Sequence, residues 1–347
     1  MAPGNDHDKT LVSAHTLSVE SVLRKVAIDG HVYAIGRPKQ IAKGFFPIEI
    51  QRMGLRDVSV FNGRCAKHDR ELFACLETEP FHFTPEQLFT LVYRTASKES
   101  YLKRKQIEFV PSPEQYAAVH GIEGSLRVLD AAALYQSGVV RGAEQIENLK
   151  AVPDDFLQAE QWSRLVTSAV LFPQNPTVLW TTTFQPYVDL DGRQLQDFKD
   201  LEADMRHIFV SIIPVDTGGV AIFSWLNTAN AAPRLFFESV TRGKSGCSSV
   251  VDAILDNAEN VAFSHSWYEQ LSQAQKDDVF SRVIKFDGSV DQINAQRADD
   301  LAPDLGHWWG SNCYTRLTPR GLITDSSRNR LTVRLNSGVG CQKIWLG

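Results

Sequence analysis

Hydrophobic residues recur at helical spacing in two parts of the first third of the chain. Between Ser18 and Ile28 they occupy positions i, i+3, i+4, i+7 and i+8, and Gly30 follows directly. This pattern predicts a short amphipathic helix that ends before the glycine. The same spacing returns from Ala66, which predicts a second helix whose entrance is Cys65.

Two nearly identical start signals predict longer helices. Residues 84–87 are Thr-Pro-Glu-Gln, and residues 112–115 are Ser-Pro-Glu-Gln. A hydroxyl residue at the N-cap, proline at the first helical position and glutamine at the third form a capping box. The first signal predicts a helix to about Lys105, and the second opens a region over 113–171 that is predicted to be mostly helical.

Runs of β-branched and aromatic residues predict strands. Residues 208–214 and 220–226 are two such runs, joined by Val-Asp-Thr-Gly-Gly, which predicts a β-hairpin. After Asp299 the chain is rich in Gly, Asn, Ser and Arg, and we expect irregular β and loop structure there. Further strands are predicted at 31–35, 45–50 and 177–184, and further helices at 248–262, 266–271 and 274–285.

These elements predict an α+β protein in three parts. The parts are an N-terminal metal-knuckle module with a long helix (1–110), a helical middle (111–175) and a C-terminal domain containing antiparallel β-structure (176–347), with the hairpin at about 207–226. A chain of 347 residues, 43% of them hydrophobic, is long enough to build extensive cores.

Composition and the absence of several sequence motifs limit the classes of function that we expect. The net charge of −5 gives no overall electrostatic signature of nucleic-acid binding. Glycine-rich phosphate cradles and the Gly-x-Ser-x-Gly and His-Glu-x-x-His motifs are missing from the sequence. Five scattered cysteines, no signal-peptide pattern and no apolar window of ~18 residues lead us to expect a cytoplasmic protein without a membrane span.

Candidate chemistry is concentrated between residues 13 and 77. Cys65 and His68 have the i, i+3 spacing that lets a residue at a helix entrance and one on the first turn face the same ion. Thiolate and imidazole are preferred zinc ligands. Because His15 and His31 lie beside predicted element boundaries, they are the candidates for the remaining ligands of a zinc site.

Each of these residues also has a simpler interpretation. Isolated histidines in proteins are more often surface or hydrogen-bonded core residues than metal ligands. Asp69, next to His68, could orient an imidazole from behind, or it could be an acid that favours the first turn of a helix. The zinc hypothesis therefore rests on the grouping of His15, His31, Cys65 and His68.

The same residues carry a resemblance. His-Thr at 15–16, Gly-His-Val at 30–32 and Phe-Asn-Gly-Arg-Cys-Ala-Lys-His-Asp-Arg-Glu-Leu-Phe at 61–73 resemble a widespread family of uncharacterised bacterial proteins. Glu77, residues 86–89 and Tyr93-Arg94 extend the match. The resemblance covers residues 13–105, with looser similarity at 207–226 and 259–267. The resemblance implies a shared fold, but no activity follows from it.

A more distant similarity is to treble-clef nucleases of the His-Asn-His type. It implies His15 as a general base, with His68 or Asp69 as a metal ligand. The chain departs from that pattern, because it has neither paired Cys-x-x-Cys knuckles nor an Asn-x-x-Lys after the helix entrance. Such an enzyme would be a metal-dependent phosphodiesterase or nuclease, in phage defence or a toxin system, with His15 and Asp69 as catalytic residues.

Three interpretations follow. The main prediction is a zinc-binding protein whose metal is structural and whose other parts bind a protein or nucleic-acid partner. The alternative is the nuclease. The third is a metal-free globular protein in which the histidines only cap and pack. A closed site with four protein ligands would be structural, and an open site with three would be catalytic.

Overall fold

A computed structural model describes residues 11–36, 49–109, 112, 115, 126–159, 161, 165–197, 203–216, 218–228, 230–242, 249–250, 253, 257, 260–284, 323–325, 330–332 and 342–346. Within these residues the chain forms seven α-helices and twelve strands. The strands are β1 (Leu11–His15), β2 (His31–Gly36), β3 (Glu49–Gly54), β4 (Val60–Cys65), β5 (Leu165–Phe172), β6 (Val178–Phe184), β7 (Ile208–Val215), β8 (Gly218–Leu226), β9 (Val261–Phe263), β10 (Ile323–Asp325), β11 (Arg330–Thr332) and β12 (Gln342–Leu346). The helices are α1 (Ala66–Leu72), α2 (Ala74–Glu77), α3 (Pro85–Phe109), α4 (Leu126–Gln158), α5 (Ala232–Arg242), α6 (His265–Gln270) and α7 (Gln273–Ile284).

One eight-stranded sheet organises the fold. Its order is β12-β5-β8-β7-β6-β9-β2-β3, and every neighbouring pair is antiparallel. The sheet takes strands from all three predicted parts of the chain. Strands β1 and β4 form a separate two-stranded sheet, as do β10 and β11. The protein is therefore α+β, as predicted.

The central strands are buried on both faces. Every residue of β6 and β7 is buried, which is why their sequences are continuous apolar and Thr/Ser runs without alternation. One face packs under α5, α6 and α7, where Trp180, Phe223 and Phe237 are among the most buried side chains. The other face packs under residues 17–26 and α3.

Helix α3 lies at the centre of that second face. Thr84 caps it, because the Thr84 Oγ1 accepts a hydrogen bond from the backbone N–H of Gln87 at 3.2 Å. Residues 92–100 are all buried. Helix α4 packs against α3, and the Tyr93 hydroxyl donates a hydrogen bond to Asp154 at 2.7 Å. A helix buried along nine consecutive residues must place polar side chains in the interior.

Most predicted elements are confirmed. The 85–105 helix extends to Phe109, the hairpin is β7–β8, and the strand predicted at 31–35 is β2. The strand predicted at 45–50 overlaps β3 only at residues 49–50, because β3 continues to Gly54 and residues 45–48 lie outside the described ones. The second capping box is complete, because Ser112 Oγ accepts from the N–H of Gln115 and Gln115 Oε1 accepts from the N–H of Ser112. Helices at 266–271 and 274–285 correspond to α6 and α7. Most of the predicted 248–262 helix lies outside the described residues, and 261–262 belong to β9.

Two predictions are wrong. Residues 18–28 form only a 3-10 helix at Leu23–Lys25 between turns. Val22, Leu23 and Val26 are buried as the pattern required, but the backbone N–H groups of Leu23 and Arg24 bond to the carbonyl oxygens of Ser18 and Val19. These partners lie five residues back, whereas a regular α-helix uses the residue four back. Residues 165–171, predicted to be helical, belong to β5, a strand between β12 and β8 whose burial on both faces removes the alternating pattern.

Within the part of the chain described above, no helix has the length and apolar character required to cross a membrane.

Candidate functional site

The structure brings Cys65 and His68 together. Cys65 is the last residue of β4 and takes the N-cap position of α1 with an extended backbone, so its side chain faces the first helical turn. The Cys65 Sγ lies 3.0 Å from His68 Nδ1. Cys65 is buried and His68 is half-buried. This pair is a contact between two preferred zinc-ligand types.

His15 lies at the other end of the same small sheet. In the β1–β4 register His15 pairs with Val60, whereas Leu11 pairs with Cys65. Five residues of extended strand separate Val60 from Cys65, a distance of roughly 16 Å. His15 Nε2 is buried and has no hydrogen-bond partner within the described ranges. His15 therefore does not share a ligand sphere with Cys65.

His31 and Asp69 also lie apart from a common centre. His31 begins β2, in the eight-stranded sheet, and its Nδ1 lies 2.6 Å from the carbonyl oxygen of Asp29 in its own turn. Asp69 is half-buried in the first turn of α1, the position expected of an acid that favours a helix N-terminus. Among the residues with described positions, no group of three or more His, Cys, Asp or Glu side chains converges as a metal site.

A cavity of about 90 Å³ lies between α3 and the 16–25 segment, and we call it the Arg94 cavity. Its walls come from residues 16–25, residues 76–81, Leu91 and Arg94 of α3, and the sheet strands β6 and β7. Because about 10–15 Å³ of such space is enough for one water molecule, the cavity admits several waters or a small ligand.

Arg94 is the cation of this cavity. Its side chain is only 4% exposed, and its Nη2 donates a hydrogen bond to Glu77 Oε1 at 2.6 Å. The guanidinium carbon lies 4.2 Å from the centre of the Phe73 ring, a cation–π contact. Glu77 also accepts a hydrogen bond from the Ser18 hydroxyl. The network ties α3, α2 and the 16–25 segment together around the cavity wall.

The guanidinium is incompletely satisfied. Arg94 Nε is buried and has no hydrogen-bond partner in the described part of the chain. A guanidinium has five N–H donors, and Glu77 is the one acceptor that the described residues offer it. A buried donor without an acceptor costs about 1–3 kcal/mol, so an acceptor that reaches this guanidinium would be stabilised.

Hydroxyl groups line the sheet side of the cavity. Thr181 on β6 and Ser211 on β7 pair across the two strands, and their hydroxyl oxygens are 3.3 Å apart. The Thr181 hydroxyl also lies 2.9 Å from that of Thr95 on α3. All three side chains are buried. Hydroxyls can donate or accept hydrogen bonds, so this wall can pair with either a donor or an acceptor group of a ligand.

Charged residues of both signs surround the exposed end. Lys25 Nζ is 3.8 Å from Asp216 Oδ1, and both side chains are exposed. Glu79 lines the cavity close to Pro80 and Phe81. Two cations and two carboxylates therefore line the cavity, with Arg94 as its buried cation.

The sequence pattern did not point to the Arg94 cavity. Cys65 and His68 are recognisable from their spacing, whereas Arg94 is an isolated arginine in a helix. One signal was present: Leu88, Leu91 and Thr95 follow helical spacing, so Arg94 borders a stripe whose apolar character gives way to Thr95 and Lys98. Polar residues continuing an apolar stripe indicate a buried polar site.

Comparison with protein-family models, with curated proteins and with solved structures gave no match to this chain.

Proposed function

We propose that this protein binds a small anionic ligand in the Arg94 cavity. The observation that carries the proposal is a guanidinium that is 4% exposed, lines a cavity of about 90 Å³ and has one described carboxylate partner. Buried charges in proteins are paired and hydrogen-bonded, because desolvation is costly. An anion next to Arg94 would accept its remaining donors and offset that cost.

The residues that line the cavity favour ligand binding over catalysis. The cavity-lining residues that the structure describes include neither histidine nor cysteine, and their carboxylates, Glu79 and Asp216, are on exposed residues. A nucleophile next to a base, the arrangement that covalent catalysis requires, has no counterpart there. The protein would therefore act as a receptor or sensor for its ligand.

A titration of the purified protein with small anions tests this proposal. Acetate, inorganic phosphate and sulfate are added at constant ionic strength, and binding is followed by isothermal titration calorimetry. At least one anion is expected to bind the wild type, and Ser21→Phe, which adds a ring at the cavity wall, is expected to abolish binding. Arg24→Gln, on the same segment but away from the cavity, is the matched control and should bind normally.

Two results would reject the anion site. One is wild-type protein that binds none of these anions. The other is binding that Ser21→Phe and Arg24→Gln leave equally intact, which would place the anion elsewhere. Circular dichroism of each variant shows whether a lost signal reflects lost folding.

Zinc binding at Cys65 and His68 is a second proposal, favoured by the 3.0 Å contact between Sγ and Nδ1. Two ligands are fewer than the four of a structural zinc site or the three of a catalytic one. Elemental analysis of the purified protein should find about one zinc per chain, and both Cys65→Ser and His68→Ala should lose it. Metal-free wild-type protein would exclude this role, and with it the metal-dependent nuclease.

A further inference from the structure

We infer that the ligand of the Arg94 cavity is a monocarboxylate with a short apolar body. This inference rests on the proposed anion site and names the chemical class of its ligand. It distinguishes a carboxylate from phosphate and sulfate, the other common anions of this size.

The charge of the cavity favours a single negative charge. Arg94 already shares its positive charge with Glu77 through the 2.6 Å hydrogen bond. The remaining cation in the lining, Lys25, lies beside Asp216, and Glu79 adds another carboxylate. Among the described residues, Arg94 and Lys25 therefore stand against three carboxylates, Glu77, Glu79 and Asp216, which leaves a net charge of −1 around the cavity. This net charge repels a dianion about twice as strongly as a monoanion, whereas either anion can accept a hydrogen bond from Arg94.

The backbone around the cavity also argues against phosphate. Phosphate sites are commonly built from helix N-termini or from glycine-rich turns that present several backbone N–H groups. None of the cavity-lining residues in the described part of the chain is glycine, and α3 contributes Leu91 and Arg94 from its interior rather than from its first turn. The donors on offer are a guanidinium and single hydroxyls, which suit the two oxygens of a carboxylate.

The remaining walls are apolar. The apolar residues of the lining include Leu17, Val22, Phe81, Leu91 and Ile213. Each methylene that a ligand buries against such walls strengthens binding by about fourfold. A carboxylate that carries two to four methylene or methyl groups would therefore use both the polar and the apolar lining.

A homologous series of ligands tests the inference. Acetate, butyrate and hexanoate are compared with inorganic phosphate and sulfate at one ionic strength, by calorimetry or by ligand-observed NMR. The dissociation constant is expected to fall by roughly fourfold per added carbon until the cavity is full, and then to rise. Butyrate is expected to bind at least tenfold more tightly than phosphate.

Glu77→Gln is a control for which we expect an increase in affinity, a result that a loss of folding cannot produce. Glutamine keeps an acceptor for Arg94 and Ser18 but removes the competing negative charge, so butyrate affinity should increase by about tenfold. Arg24→Gln should leave butyrate affinity unchanged. A purely structural role for Arg94 and Glu77 predicts no gain.

The possible failures are separable. If phosphate or sulfate binds and is lost in Ser21→Phe while the carboxylates do not bind, the anion site stands and the carboxylate assignment is overturned. Carboxylate affinity that is flat with chain length, or unchanged in Glu77→Gln, also overturns the assignment. If no anion shows binding that depends on Ser21→Phe, the cavity holds only water and both proposals are rejected.

Discussion

Two arginine–glutamate pairs in this protein have the same geometry but different burial. Arg94–Glu77 and Arg24–Glu20 both have an N–O distance of 2.6 Å. The side chains of the first pair are 4% and 34% exposed, and those of the second are 62% and 63% exposed. Because solvent screens an exposed pair, we predict that burial alone separates their contributions to stability.

The expected energies follow from this difference. A hydrogen bond to a charged group in a buried setting contributes about 1.5–3 kcal/mol. Glu77 is one-third exposed, so we expect a coupling energy of about 1–2 kcal/mol for Arg94–Glu77. The Arg24–Glu20 coupling should be much smaller, because solvent screens both of its exposed side chains. Arg94→Met alone should cost about 2–4 kcal/mol, since it also removes the cation–π contact with Phe73.

Two double-mutant cycles measure these energies by urea unfolding. One uses Arg94→Met and Glu77→Ala, and the other uses Arg24→Met and Glu20→Ala, each as single and double variants, because alanine removes the acceptor completely. The exposed pair is the internal control, because it has the same N–O distance as the buried pair and differs in burial. Equal coupling energies in the two cycles, or less than 0.5 kcal/mol for Arg94–Glu77, would refute the argument that burial strengthens this network.

Two further predictions concern the sheet. Burial lowers the pKa of His207 to about 4, so between pH 6.5 and 4 the unfolded chain takes up a proton that the fold rejects. Because of His207, the free energy of unfolding should therefore fall by about 1.4 kcal/mol for each pH unit over that range. In urea unfolding at pH 7 and pH 5, His207→Gln should lose less stability than the wild type. Equal losses in the two proteins would contradict this prediction. Gly218 has a φ of +135°, and a Cβ there would lie 2.1 Å from the carbonyl oxygen of Phe172, whereas Gly192 has a φ of +79° and open space around it. Gly218→Ala should lower the melting temperature by several degrees more than Gly192→Ala, at about 3 against 1 kcal/mol; equal shifts would show that the turn relaxes.

Local signals were sufficient for much of the secondary structure. The Thr-Pro-Glu-Gln sequence at 84–87 predicted the start of α3, because N-capping is satisfied by neighbours along the chain. Two runs around a Gly-Gly pair predicted the β7–β8 hairpin for the same reason. Residues 18–28 could not be predicted locally, since Ser18 also donates to Glu77, a residue 59 positions away.

The candidate site residues likewise include some that the sequence places and others that only the tertiary structure places. The sequence by itself determined the contact between Cys65 and His68, because a helix entrance and its first turn are three residues apart. Only the tertiary structure decided that His15 lies at the far end of β1 and that His31 belongs to another sheet.

Tertiary structure alone also decided the Arg94 cavity. Arg94 meets Glu77 across 17 residues, and Thr95 meets Thr181 across 86. Helical spacing can mark one face of α3 as buried, but it does not specify what lies opposite that face. The hydroxyl-lined strands β6 and β7 are placed there by the order of strands in the sheet, and that order depends on pairings between distant parts of the chain.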